Sequence, residues 1–141
     1  MTYPILQPAV VLVLWSLCML VWAIGLRVPA LREAKIDVRT IVGGRGQDLD
    51  GVLPDPIQWK AHNYNHLMEQ PTLFYVTVVI LGLVGQGDGL NLKLAWAYVI
   101  LRIAHSVVQS LWNRVIVRFT LFCAATVALL MLAVHAAIAT L

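Results

Sequence analysis

Charge is what this chain has least of. Of its 141 residues only 12% are Asp, Glu, Lys or Arg, against 60% hydrophobic, and the mean hydropathy is +0.81. So thin a polar fraction excludes a disordered chain and an ordinary water-soluble globule. Cysteine is scarce as well. Cys18 and Cys123 each lie inside a long apolar run, with neither disulfide-framework nor metal-site spacing, so both are expected to be small buried hydrophobes. Acidic residues are fewer than basic ones, giving a net charge of +3, but the basic residues gather in one stretch. The pI of 9.1 therefore does not point to nucleic acid. What remains is an all-α polytopic membrane protein.

The long runs are present in the number that a small bundle needs. A hydrocarbon core of about 30 Å takes roughly 20 helical residues. Ile5–Leu26 qualifies without a charge, closed by Arg27, Pro29 and Arg32, and Phe119–Leu141 is nearly as clear. The N-terminal run has no basic region before it and is long for a signal peptide, so it is expected to be retained as the first helix. Pro71–Val84 is too short alone, but its helical pattern extends back to about Ile57. Leu92–Trp112 is long enough despite Arg102, His105 and Gln109. Continuously apolar runs argue against strands, which alternate in a membrane barrel. The sequence predicts one domain over 1–141, with helices at about 5–27, 57–84, 91–112 and 115–140 and a loop over 28–56. The turns "GQGDGLN" and "WNR" are short enough to force antiparallel neighbours.

Arg27, Arg32, Lys35, Arg39, Arg45 and Lys60 flank or occupy the first loop, and Arg114 falls on the same side, whereas the opposite side has Lys93 alone. By the excess of Lys and Arg on cytoplasmic loops, the first loop is expected in the cytoplasm and both termini outside.

Ionisable groups inside a membrane are costly and mark function by default. Glu69 lies roughly 15 Å inside the second helix counted from Trp59, and Arg102 roughly 15 Å inside the third counted from Leu92. The two should meet near the midplane, within one chain or across a subunit boundary, because pairing is the cheapest way to keep either charged. His62, His66 and Glu69 follow one face of the second helix. Tyr98, Arg102, His105, Gln109 and Trp112 make a stripe on the third, and Arg118 lies a turn inside the fourth. A cationic cleft lined by His66, Glu69, Arg102, His105, Gln109 and Arg118 is expected, suited to an anionic ligand whose apolar partner arrives from the lipid. The same residue types also serve as hydrogen-bonding glue between membrane helices, a structural role open to His62, Asn63, Asn65 and Gln109. Arg114 reads as an interfacial anchor, and His135 as a capping or interfacial residue.

Other motifs are weak. His62 and His66 share metal-ligand spacing without an H-E-x-x-H, so no metal is expected. "GGRGQDLDG" lacks the Gly-Lys-Ser/Thr ending of a phosphate loop and a preceding strand, and "DLDG" has too few ligands for calcium.

"YNHLMEQPTLFY" (64–75) and "LRIAHSVVQSLWNRVIVRF" (101–119) resemble the MAPEG family, the membrane-associated proteins of eicosanoid and glutathione metabolism. The likeness extends over the four-helix layout and is most specific in these two segments. It implies a homotrimer of four-helix subunits, embedded in membrane lipid, with glutathione bound at subunit interfaces near the cytoplasmic face. Glu69 matches the glutamate that holds the glutathione amine, Arg102 and His105 match the Arg-x-x-His motif, and Arg118 matches the arginine implicated at the thiolate. The family's asparagine is His66 here, with Asn65 beside it. Its tyrosine seven residues after the motif arginine is Gln109, and a proline follows the glutamate two residues on rather than four. These departures give the chain the look of a bacterial branch, expected in the inner membrane with its termini periplasmic or external.

The resemblance thus implies a glutathione-dependent transferase or peroxidase acting on apolar electrophiles or lipid hydroperoxides. Arg118 and Arg102 would be the catalytic pair. Glu69, His66, Asn65, His105, Gln109 and Arg102 would bind glutathione as thiol co-substrate. A non-catalytic lipid-binding or scaffold protein of the same fold is the alternative, followed by an unrelated or metal-dependent membrane enzyme.

Overall fold

The computed structural model describes residues 3–141. Four helices follow one another: α1 (Leu6–Glu33), α2 (Asp55–Leu83), α3 (Gly89–Leu111) and α4 (Val115–Thr140). Each is long and apolar enough to cross a membrane. Their outward faces carry Val10, Leu14, Leu17, Val21, Leu130 and Ile138, which suits hydrocarbon and not water. This is an integral membrane protein.

The first helix outruns the end expected at 27. Pro29 lies inside it, but a proline removes only one backbone donor and leaves the following bonds intact. The helix stops six residues later in a closing motif: Lys35 takes a left-handed φ of 56°, its N–H donates to Arg32 O, and Ile36 N–H donates to Leu31 O, both at 3.0 Å. Arg32 in the last turn complements the negative end of the helix dipole. The second helix begins two residues before the expected 57, because Pro56 in its first turn is already set to a helical φ. It ends by the same closing motif around Gly85, at φ 74°, where Gln86 N–H donates to Leu81 O at 2.8 Å. The third helix spans 89–111 rather than 91–112. Trp112 therefore leaves the stripe expected of it and is exposed, whereas Tyr98, Arg102, His105 and Gln109 are buried.

Two helical hairpins make the bundle, α1 on α2 and α3 on α4. Leu12, Met19, Leu67, Phe74, Tyr98 and Leu132 share one apolar core, and the Phe74 and Tyr98 rings stack at 4.4 Å between centroids. Buried Ala95, Ala125, Ala128 and Ala136 in the same core are small enough to let helix backbones approach closely. Cys18 and Cys123 correct an expectation: both lie on the outside of the bundle.

Polar bonds join the hairpins to one another. Trp15 Nε1 and Asn63 Nδ2 both donate to Ser106 Oγ, at 2.9 and 2.7 Å, and Gln70 Nε2 donates to Thr126 Oγ1 at 2.9 Å. The first loop is pinned as well. Arg27 Nη2 donates to Gly46 O at 2.7 Å and to Gln58 Oε1 at 2.8 Å. Gln58 Nε2 donates in turn to Asp50 Oδ1 at 2.7 Å, and His62 Nε2 lies 2.9 Å from the same oxygen.

Candidate functional site

At the first-loop end of the bundle, α2, α3 and α4 enclose a cavity of about 230 Å³ lined by His66, His105, Gln109, Val115, Arg118, Phe119 and Phe122. Helical spacing brings these together. His105 and Gln109 are i, i+4 on α3, and Arg118 and Phe122 are i, i+4 on α4, so each pair presents one face. The His66 and His105 rings stack at 4.9 Å, with Phe122 tilted against His66 at 5.5 Å.

Arg102, expected in the cleft wall, does not line this cavity: it lies one turn deeper than His105 and is fully buried. Its Nη2 donates to His66 O at 2.8 Å and approaches His66 Nδ1 at 3.3 Å. A guanidinium has only donors, so Nδ1 presents a lone pair and a neutral His66 carries its proton on Nε2. Pro71, well inside α2, has no N–H, so Leu67 O loses its usual helical partner. Arg102 thus docks on the carbonyl next to a helical bond that proline has removed. Its guanidinium also faces the Phe122 ring at 5.9 Å.

Several polar atoms here have no protein partner although they are buried: Arg102 Nε and Nη1, Arg118 Nε, Gln109 Oε1, Ser110 Oγ and Asn113 Oδ1. Buried groups of this kind ordinarily find partners. Three unpaired cationic donors beside an unpaired amide oxygen make a site for a molecule carrying both anionic and N–H groups.

The expected Glu69–Arg102 pair is not formed within the chain. Glu69 is 69% exposed along its side chain, and its nearest basic group is His66 Nε2 at 4.0 Å. Asn65, one turn before Glu69, is exposed on the same side of α2. Both therefore stand outside the cavity, on a helix face that meets no other helix of the subunit. His62 also belongs elsewhere, at Asp50 in the loop clasp. Arg114 turns away to lie over the Trp112 ring at 5.0 Å. Among the described residues no group of three or more His, Cys, Asp or Glu is placed to hold a metal ion. Phe119 and Phe122 were missed from the sequence, where they belong to the apolar run of the last span. Their spacing from Arg118 is the signal that places Phe122 on its face.

Among known families, residues 5–138 match the family model described as the MAPEG family. No curated protein and no solved structure matches the chain.

Proposed function

Because this chain belongs to the MAPEG family, we propose that it is a glutathione-dependent membrane transferase or peroxidase whose second substrate is an apolar electrophile or lipid hydroperoxide. The observation that carries the reading is the unpaired buried donor of Arg118 in the cavity wall, with the unpaired donors of Arg102 one helical turn deeper than His105. Donors of fixed positive charge match carboxylates and a thiolate.

The cavity's size also supports a division of labour. About 230 Å³ falls below the usual volume of a pocket for a drug-sized ligand, roughly 300 to 1,000 Å³. It would hold one part of a tripeptide, while the remainder would reach Glu69 and Asn65 on the outer face of α2. A homotrimer accounts for that arrangement, since a neighbouring subunit packed on this face would bring Glu69 toward an arginine-bearing cavity and bury a carboxylate that faces lipid in the single chain. The first loop and the Arg118 cavity would then lie on the cytoplasmic side.

Bound glutathione would supply the thiol nucleophile. Arg118 would stabilise negative charge on sulfur, favouring the ionised form and raising reactivity. Arg102 would hold a carboxylate, Glu69 the amine, and Gln109 would donate or accept a hydrogen bond without exchanging a proton. His66, its lone pair turned to Arg102, would orient that guanidinium. Phe119 and Phe122 would offer an apolar wall to the acceptor. Ultraviolet titration of the solubilised protein with glutathione tests the reading. Saturable thiolate absorbance is expected, and its absence at millimolar glutathione would remove the proposed activity.

A further inference from the structure

The opposite end of the bundle holds a second, larger cavity, about 500 Å³, whose wall includes Gln86, Asp88, Leu90, Asn91, His135 and Ile138. It lies between the α2–α3 turn and the last turns of α4, where the membrane spans end. Neither the fold nor the glutathione site uses its polar groups fully.

Asn91 is the fixed point. Its Nδ2 donates to Gln86 O at 2.8 Å, so its Oδ1 must be the atom that meets His135 Nδ1 at 2.6 Å. That oxygen can only accept, which places the proton of a neutral His135 on Nδ1 and leaves Nε2 as an acceptor. Nε2 has no hydrogen bond among the described residues. Asp88 occupies the N-cap position of α3, where an aspartate ordinarily bonds a first-turn N–H. Its side chain makes no capping bond, leaving the carboxylate free at the cavity. The Gln86 side chain offers a further amide oxygen. No Lys or Arg lines the space.

Three acceptors, one of them negatively charged, suit a group with three N–H donors and a positive charge. An anion is disfavoured by Asp88, and a trimethylated ammonium has no N–H to give. Leu90 and Ile138 on the rim are largely exposed and would face acyl chains. Lys93, one turn into α3 and exposed, offers a counter-charge to a phosphate. We propose that this cavity binds the primary ammonium of an ethanolamine-type phospholipid headgroup, in the leaflet away from the first loop.

Native mass spectrometry of the full chain, offered equal amounts of phosphatidylethanolamine and phosphatidylcholine of matched acyl chains, tests this. Retention should favour the ethanolamine lipid by about ten-fold, the worth of one charge-assisted hydrogen bond. The preference should fall stepwise with mono- and dimethylated headgroups, as N–H donors are removed, a result that needs no variant. Asp88→Asn should abolish it, and Asp88→Ser, which places a residue able to cap α3 at that position, should do the same. Equal retention of all headgroups overturns the proposal, as does a preference that survives both substitutions. Displacement of the lipid by free ethanolamine would overturn the assignment to a lipid and make the ligand a soluble primary amine.

Discussion

Arg102 is tied to α2 through the backbone of His66, at 2.8 Å, and not through the carboxylate of Glu69. A buried cation held by a carbonyl, an imidazole lone pair and an aromatic face is only partly compensated. Two of its nitrogens, Nε and Nη1, remain unpaired. Desolvating a charge so incompletely partnered costs several kcal/mol, which a purely structural residue would not need to bear.

That cost gives the first expectation. Arg102→Met fills a similar volume without the charge, and replacing buried ionic groups by apolar ones is often neutral or stabilising by about 1–4 kcal/mol. The thermal midpoint of the solubilised variant should hold or rise, while glutathione binding falls at least about ten-fold for the lost charged contact. Calorimetric titration beside a melting curve checks both. A collapsed midpoint with intact binding would reverse the assignment and make Arg102 a structural post.

Arg118 carries the boldest expectation. Arg118→Leu should raise the pKa of bound glutathione and slow turnover by roughly ten- to a thousand-fold, the range for losing a contact to a developing anion. Arg118→Lys keeps the charge without the fork and should fall between. Arg114→Leu, which removes only the contact with Trp112, should leave the pKa alone. Stopped-flow absorbance against pH reads all three, and an unchanged Arg118→Leu profile would take the residue out of the chemistry.

The loop clasp makes a stability statement. Gln58 is buried and simultaneously accepts from Arg27 and donates to Asp50. Gln58→Ala should release the loop over 34–54 at a local cost of about 1–3 kcal/mol, with helicity retained. Limited proteolysis in that segment should accelerate markedly, and an unchanged cleavage rate would show that the loop is held by other contacts.

Topology is open to direct labelling. Cysteines placed at Gln47 and Gln86 should react from opposite sides of the membrane. Because Cys18 and Cys123 face outward from the bundle, both need replacing by serine first. Labelling of both positions from one side would contradict the orientation inferred from the basic first loop.

Assembly gives a fifth expectation. Native mass spectrometry in detergent should find three copies, and crosslinks from a cysteine at Asn65 should join subunits. A monomer as the sole species would leave Glu69 without the neighbour proposed for it.

The four crossings were legible because apolar length is a strong signal and needs no knowledge of packing. The far end of α1 was not. Arg27, Pro29 and Arg32 look like stops, and only the left-handed Lys35 shows where the chain truly turns. In the site, His105 with Gln109 and Arg118 with Phe122 follow from spacing alone. Glu69 did not follow, because counting residues from the membrane surface fixes height and not direction around the helix. Relative to His66, Asn65 and Glu69 are both turned the same way, by about 100° and 60° at 3.6 residues per turn. That rotation carries the two out of the cavity while leaving the depth estimate untouched.

The hydrogen bonds of Ser106 with Trp15 and Asn63, of Gln70 with Thr126 and of Arg102 with His66 all cross from one hairpin to the other. Biosynthesis delivers α1 and α2 first, and at that stage Asn63 and Gln70 have no mates on the later hairpin. Each half therefore enters the lipid as an unfinished piece whose leftover polar groups can be quenched only by the other half, at matching heights. A sliding error of one turn would deprive Trp15, Asn63, Gln70 and Arg102 of these partners at once. The polar seam thus acts as a proofreading ruler for the final docking step, set before any ligand arrives.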